Sequence, residues 1–328
     1  MKILVTGGAG YIGSVVTAQL IAAGHAVVVV DNLSTGHRAA VAPEATFVAC
    51  DVADSKALTK VFETHGPFDA AMHFAAKIIV SESMTQPMVY LRDNLASACT
   101  LIDCAARFGV RRLVASSTAA VYGAPTTLPI VEDTPYAPTS AYGQSKIFME
   151  QALAWAETVH GIRYAALRYM NACGATESLG EDHHPETHLI PNVLKVATGE
   201  RETLYLFGDD WPTPDGTCVR DYVHVLDIAS AHIRALEALG DADESLILNV
   251  GTGRGTSIRE IIEAARRVTG HPIPVEVAPR RAGDPPTLYA SVDRIEHRLD
   301  WRAEHSDIDT IVGSAWKWHS AHPGGYLR

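Results

Sequence analysis

The sequence predicts an α/β chain: a doubly wound parallel sheet with helices on both faces, followed by a smaller α/β region. Three observations predict it. Short apolar runs alternate with helical stretches through the first half. A glycine turn, Gly7-Gly8-Ala9-Gly10-Tyr11-Ile12-Gly13, lies between the first such run and the first helical stretch. After about residue 174 the rhythm changes to short strands and longer loops rich in His, Pro and Gly.

The elements follow in order. Lys2–Thr6 reads as a strand and residues 11–23 as a helix. Residues 26–30 form an unbroken aliphatic run ending in Asp31, the pattern of a strand buried on both faces. Residues 46–49 and 69–74 are further strands, with a helix over 55–64 between them. Residues 83–108 predict one long helix, kinked near Pro87 because proline lacks the N–H that the helix needs. A strand over 112–117, a second long helix over 140–160 and a strand over 163–168 complete the alternation. Two later stretches, 221–239 and 246–250, are expected to return to the sheet. The expected division is a nucleotide-binding domain over 1–175, with return segments around 217–250, and a mainly substrate-binding domain over 176–328.

The chain has 328 residues, 47% hydrophobic and 20% charged, a balance that supports a packed core. Its net charge of −11 argues against nucleic-acid or anionic-membrane binding, which need a basic face. Any anionic ligand must be held by local arginines. The five cysteines contain no Cys-x-x-Cys pair, which reads as reduced thiols in a cytoplasmic protein. No apolar run is long enough to cross a bilayer, and the N-terminal stretch lacks a signal-peptide pattern, so no membrane association is expected.

In Gly7-x-x-Gly10-x-x-Gly13 the glycines permit a tight turn, close approach to a pyrophosphate and close helix–strand packing. The helix beginning at Tyr11 offers its free N–H groups to phosphate. Asp31 lies 18 residues beyond Gly13, where a ribose-binding acid is expected; its charge repels a 2′-phosphate and favours NAD over NADP. Asp51, followed by Val52, reads either as a partner for the adenine amine or as the N-cap of the next helix.

Tyr142-Gly143-Gln144-Ser145-Lys146 places a phenol and an ammonium at i and i+4, on one helix face. A phenol with a pKa of about 10 is a poor base at neutral pH, and a neighbouring cation favours its ionised form. Ser116-Ser117-Thr118 ends a strand, and strand C-termini of such sheets face the ligand crevice. The Thr118 hydroxyl is placed to bridge Tyr142 and a substrate hydroxyl.

Taken together these residues resemble the extended short-chain dehydrogenase/reductase family, nearly end to end. Besides the glycine turn and Tyr142–Lys146 positions, the resemblance includes Asp31-Asn32-Leu33-Ser34-Thr35-Gly36, His73-Phe74-Ala75-Ala76, Asn94, Leu167-Arg168-Tyr169-Met170-Asn171, His188-Leu189-Ile190-Pro191, Asp215-Gly216-Thr217, Val219-Arg220-Asp221-Tyr222 and the 280–284 motif. It implies a Rossmann-type fold and a tightly held NAD contacted by the glycine turn, the 31–36 run, Phe74, Ala75, Ala76, Lys77, Asn94, Ser116 and Met170. It further implies inversion at C4 of a UDP-sugar: Tyr142 takes the proton of the 4-hydroxyl while hydride leaves the carbon, and the keto sugar turns over before hydride returns. The nucleotide is then gripped by Asn171, His188, Leu189, Tyr205, Leu206, Phe207, Arg220, Arg281 and Asp284. The two long helices resemble those through which family members form homodimers.

The chain departs from the family pattern at three places. Ile78 stands where a lysine near the nicotinamide phosphates is common, with Lys77 one position earlier. Thr118 replaces a common serine. Leu288 holds a position filled by tyrosine or by a small residue, leaving open whether N-acetylated sugars are accepted; a uronate or pentose substrate is a separate alternative that only the sugar pocket distinguishes. A 4,6-dehydratase on the same fold is disfavoured, because Ala119 follows Thr118 where that chemistry places an acid. His183, His184, Glu186 and His188 follow no recognised zinc spacing, so a polar loop without metal is expected. Trp316, Trp318 and His319 read as helix-packing residues.

Overall fold

The computed structural model describes residues 1–240, 244–281 and 284–326; Ala282 and Gly283 of the 280–284 motif lie outside these. The chain order is β1 (Lys2–Thr6), α1 (Tyr11–Ala22), β2 (Ala26–Asp31), β3 (Thr46–Ala49), α2 (Ser55–His65), β4 (Ala70–His73), α3 (Val80–Thr85), α4 (Pro87–Arg107), β5 (Arg112–Thr118), α5 (Ala141–His160), β6 (Arg163–Tyr169) and β7 (Asn171–Cys173). There follow α6 (Leu189–Ala197), β8 (Leu204–Phe207), β9 (Val219–Arg220), β10 (Tyr222–His224), α7 (Val225–Ala238), β11 (Leu246–Val250), β12 (Thr256–Ser257), α8 (Ile258–Thr269), β13 (Val275–Ala278), β14 (Thr287–Leu288), α9 (Asp293–Leu299) and α10 (Ile308–Ala321).

Seven strands form the central sheet in the order β11-β6-β5-β4-β1-β2-β3, every pair parallel. Alternate side chains enter opposite layers, as a pleated strand requires. Ile3, Val5, Val27, Val29, Val114, Ala165 and Leu167 join one core layer. Leu4, Val28, Val30, Leu113, Ala115, Tyr164 and Ala166 join the other. One layer contains α1 and α7, the other α2, α4 and α5, so both faces are covered and the strands carry apolar residues on both sides. Strand order reverses between β1 and β4, the place where such sheets open a ligand crevice.

The long helix expected over 83–108 is two helices. Gln86 leaves the helical region (φ −127°, ψ 54°) and Pro87 starts α4 at its first position. A residue before proline is pushed out of the α region, and a proline is tolerated only in a helix's first turn, so the chain breaks rather than kinks. The 246–250 stretch does enter the sheet, pairing with β6, and α7 lies in the same layer as α1. Beyond the sheet, α6, α8 and α10 pack around Ile190, Val193, Leu194, Ile261, Ile262, Ile311 and Val312. Parallel β8 and β13 flank them, and β12-β9-β14 form a three-stranded sheet that includes Leu288. Trp318 is 1% exposed within the first core layer, so it packs as expected. Among the described residues no helix is long and apolar enough to cross a membrane.

Candidate active site

The glycine turn joins β1 to α1 and faces the loop after β4. Gly7 has φ +74°, and a Cβ there would collide with the Ala75 nitrogen. A Cβ on Gly13 would collide with the Gly7 carbonyl. Gly10 differs: its Cβ would meet only the Gly7 oxygen, at 3.4 Å. The chain's own packing therefore does not demand glycine at position 10; an open face there suits a ligand that approaches the backbone. The α1 N-terminus carries no side-chain cap and no acid in its first turn, which leaves its N–H groups and positive dipole end for phosphate. These residues fit a dinucleotide.

Asp31 is 7% exposed and oriented by two backbone donors: Ala9 N–H to Oδ2 at 3.0 Å and Leu33 N–H to Oδ1 at 2.8 Å. Burial pushes its carboxyl up, and these two bonds work in the opposite direction. Its remaining lone pairs can accept from ribose hydroxyls. The 32–36 loop closes over the turn: Asn32 Oδ1 accepts from the Ser34 N–H, and Gly36 lies against Ala9. Asp51 does not cap α2; Asp54 does, accepting from Lys56 and Ala57. Asp51 instead accepts from Asn32 Nδ2 and the Ala53 N–H, beside the Asp31 strand end. Val52 is buried in the core layer, so only its backbone can serve a ligand.

Asn94 on α4 was expected to touch cofactor. Its amide is instead committed to the chain: Oδ1 accepts from the Lys77 N–H at 2.8 Å, and Nδ2 donates to the Lys77 carbonyl and to Ser145 Oγ. Both donors are used, and the residue ties the loop after β4 to α5. Ser145 passes the tie on by donating to the Tyr142 carbonyl. The Lys77 side chain itself is exposed.

Helix α5 begins at the Ser140 cap and presents Tyr142, Lys146, Met149, Glu150 and Leu153 inward. Gly143 lets it come close: a Cβ there would stand 2.5 Å from the Ala120 carbonyl, in the turn directly after Thr118. The Thr118 oxygen accepts from the Ala120 N–H at 3.1 Å, and its hydroxyl works against burial to lower the Tyr142 phenol. Lys146, 2% exposed, donates to the Ser116 carbonyl at 2.8 Å, and its Nζ is 6.0 Å from the Tyr142 ring centre. The hydroxyl of Ser116 meets that of Tyr169. Phenol, ammonium and hydroxyl thus gather at the C-terminal end of β5.

The expected lowering of the phenol by Lys146 is not what this geometry gives. Burial pushes Tyr142 up to about 12, opposed by the Thr118 hydroxyl rather than by the ammonium. Burial also lowers Lys146 to about 8, with Glu150 resisting. Desolvation outweighs the cation 6.0 Å away.

A group that sequence reasoning missed holds α5 in place. The Arg168 guanidinium, 2% exposed, forks onto Glu150 at 3.0 and 2.6 Å and also donates to Tyr122, Tyr136 and the Glu132 carbonyl. Arg168 stands in the family-like run 167–171 and at the end of a strand, where burial demands a partner, but neither signal named Glu150.

Toward the second half, Met170 is buried and Asn171 donates to the Asp221 carbonyl. Tyr205 and Phe207 share one side of β8; Leu206, 2% exposed, points the other way, so its side chain cannot reach a ligand. The Arg281 guanidinium sits 3.9 Å over the Phe207 ring. Among the described residues neither Arg220 nor Arg281 has a carboxylate within 4.0 Å, whereas Arg280 is paired with Asp210. Asp284 N–H donates to the Arg281 carbonyl. Asp215 and Asp221, from two of the family-like runs, act inwardly: Asp215 accepts from Thr217 and Ser257, Asp221 from Thr252. Leu288 pairs with Arg220 in register and packs on the cluster containing Met170 and Ala119. In the 181–188 loop Glu181, His183, Glu186 and His188 converge, and Glu181 raises His188 to about 11. His188 and Leu189 sit at the start of α6.

A seven-stranded parallel sheet with a glycine cradle at its switch point and a Tyr-x-x-x-Lys centre beside it defines a dinucleotide-binding α/β enzyme. The family described as "NAD dependent epimerase/dehydratase" matches residues 3–251, and the chain belongs to it. It is 50% identical to a UDP-glucose 4-epimerase of Lacticaseibacillus casei over 328 residues, 99% of each chain. Among solved structures it resembles UDP-glucose 4-epimerase of Brucella ovis in complex with NAD (TM-score 0.93, 44% identity, covering 100% and 99% of the two chains). It also resembles that of Bifidobacterium longum in complex with NAD+ and UDP (TM-score 0.93, 37% identity, covering 99% and 100%).

Proposed function

We propose that this enzyme interconverts UDP-glucose and UDP-galactose by transient oxidation at the sugar C4. The observation that carries the reading is the Tyr142 phenol set against the Thr118 hydroxyl, with Lys146 behind it, at the strand ends beside the glycine cradle. NAD, when bound, supplies the acceptor and returning donor of the hydride and a positive charge next to the phenol. Tyr142 Oη takes the proton of the 4-hydroxyl as the carbonyl forms and gives it back when hydride returns to the opposite face. Thr118 donates to the phenolate, and the Lys146 ammonium, held by the Ser116 carbonyl, steadies the same charge.

Cofactor contacts run from the cradle through Asp31, the loop after β4 and Ser116, while Arg220 and Arg281 take the diphosphate by charge-assisted bonds. Asn171, His188, Leu189, Tyr205, Phe207 and Asp284 grip the rest of the nucleotide. Residues 1–175 with the 217–250 return form the cofactor half, and 176–328 mainly the sugar-nucleotide half. Two copies associate through α4 and α5, where Met88, Trp155 and Val159 are 64 to 68% exposed, next to the exposed Met84 on α3. The five free cysteines, four of them buried, suit the cytoplasm, where the enzyme would serve galactose metabolism.

The test is to mix purified protein with UDP-galactose and follow UDP-glucose, then to denature the protein and analyse the released cofactor. Conversion with NAD in the extract is expected. A folded, NAD-loaded protein that converts none would overturn the reading. Leu288 beside the Met170 cluster keeps a second reading, another UDP-sugar as principal substrate, and a panel of UDP-sugars run with one preparation decides between them.

A further inference from the structure

Four donor groups in the loop entering α6 meet although their spacing announces no metal site. His183 Nδ1 lies 3.2 Å from Glu181 Oε1 and 3.8 Å from Glu186 Oε2. His188 Nδ1 lies 2.8 Å from Glu181 Oε1 and 2.9 Å from Glu186 Oε1. One ligand atom from each residue falls within 4.8 Å of every other. Tetrahedral zinc, with ligands at about 2.0–2.1 Å, sets neighbouring ligand atoms about 3.3 Å apart, close to the 2.8 to 3.8 Å of these four His–Glu pairs.

A second observation points the same way. His183 Nδ1 is sealed from solvent and makes no hydrogen bond, although a carboxylate oxygen stands 3.2 Å off. Buried ring nitrogens normally find a partner. This one faces a space shared by two carboxylates and a second imidazole. The side chains of Glu181 and Glu186 are 5% and 2% exposed and, among the described residues, have only these two imidazoles within ion-pair distance, a pair of negative charges that a divalent ion would neutralise. The His188 side chain is 43% exposed and leaves an entry path.

We propose that Glu181, His183, Glu186 and His188 bind one divalent transition cation, zinc by preference, in a structural site. Two imidazoles and two carboxylates give a closed tetrahedral set that neutralises the ion. The ion staples an eight-residue loop to itself and fixes the start of α6. It also braces α1, because the Tyr11 ring lies edge-on to His183 at 6.2 Å. The site is independent of which sugar is turned over.

The test strips the purified holoprotein with a chelator and titrates Zn2+ by calorimetry, with thermal melting in parallel. One equivalent bound at micromolar Kd or tighter, and a Tm that climbs with free Zn2+, are expected. Co2+ in its place should give the strong visible absorption of a tetrahedral centre. His183→Gln and Glu181→Gln should each weaken binding by at least about tenfold and abolish the Tm response. The proposal is overturned if stripped wild-type protein neither takes up Zn2+ nor gains Tm, or if both variants bind as the wild type does. If either variant fails to fold, the Co2+ spectrum of the wild type decides: an octahedral or absent signal overturns the site.

Discussion

Tyr142 sits at about 12 in a buried pocket, so turnover depends on how much charge its surroundings add when it must act as a base. Tyr142→Phe removes the proton acceptor but not the packing; turnover should fall by about 10²-fold or more while NAD stays bound, read by steady-state assay and cofactor extraction. Near-normal turnover in that variant would remove Tyr142 from the proton path. Lys146 adds a pH limit. Its folded-state value, about 8, lies below the usual lysine range, so the side chain is a cation below that pH and neutral above it. The profile of kcat/KM should therefore drop on its alkaline side near pH 8. Lys146→Arg, which stays charged, should move that limb upward even if activity is lower. The pairing of Tyr142 with Lys146 was legible from an i, i+4 spacing. The direction of the phenol's shift was not, because spacing conveys proximity on a helix face but says nothing of desolvation.

At the scale of elements, the glycine turn separates two roles within one motif. Gly13 is required by the fold, since a side chain there strikes the Gly7 carbonyl; Gly10 is not. Gly10→Ala should keep a nearly unchanged Tm while losing cofactor affinity by at least about tenfold, measured by binding to stripped protein. Gly13→Ala should lower Tm, because the collision cannot be relieved without moving backbone. Equal effects of the two substitutions on Tm would contradict this division. The sequence showed both glycines as one fingerprint, because the difference lies in how near the folded turn brings the Gly7 carbonyl, 2.2 Å from a Cβ at position 13 against 3.4 Å at position 10. The same reason hid Gly143, whose small size seats α5 on the turn after Thr118, and the use of Asn94 as a tie between α4, α5 and the loop after β4. Strand positions were clear from aliphatic runs. The break at Gln86 was legible only as a kink, since a proline announces a disruption but not whether the helix restarts.

Across the whole molecule, the apolar face on α5 makes the clearest demand. Trp155 and Val159, four residues apart, are 67% and 64% exposed on a helix whose other face is fully buried. Trp155→Glu should convert a dimer to a monomer by light scattering, with the monomer's circular dichroism unchanged. A wild-type chain that is monomeric at micromolar concentration would sink the assembly reading. Long helices were visible in the sequence, but which face would remain uncovered was not, since that depends on where α4 and α5 meet. The converging His and Glu groups of the 181–188 loop were invisible for a related reason: loop geometry, not residue spacing, brings them together.

The edge strand β11 has a consequence for how the chain must be made. It pairs with β6 although about eighty residues intervene, and its register with 165–169 fixes the last lane of the sheet. A nascent chain released to residue 175 would already hold six lanes, with β6 left as an open border of unsatisfied amide and carbonyl groups. Fragments cut before residue 246 should clump during translation or refolding, and full solubility should return only once that late segment has docked.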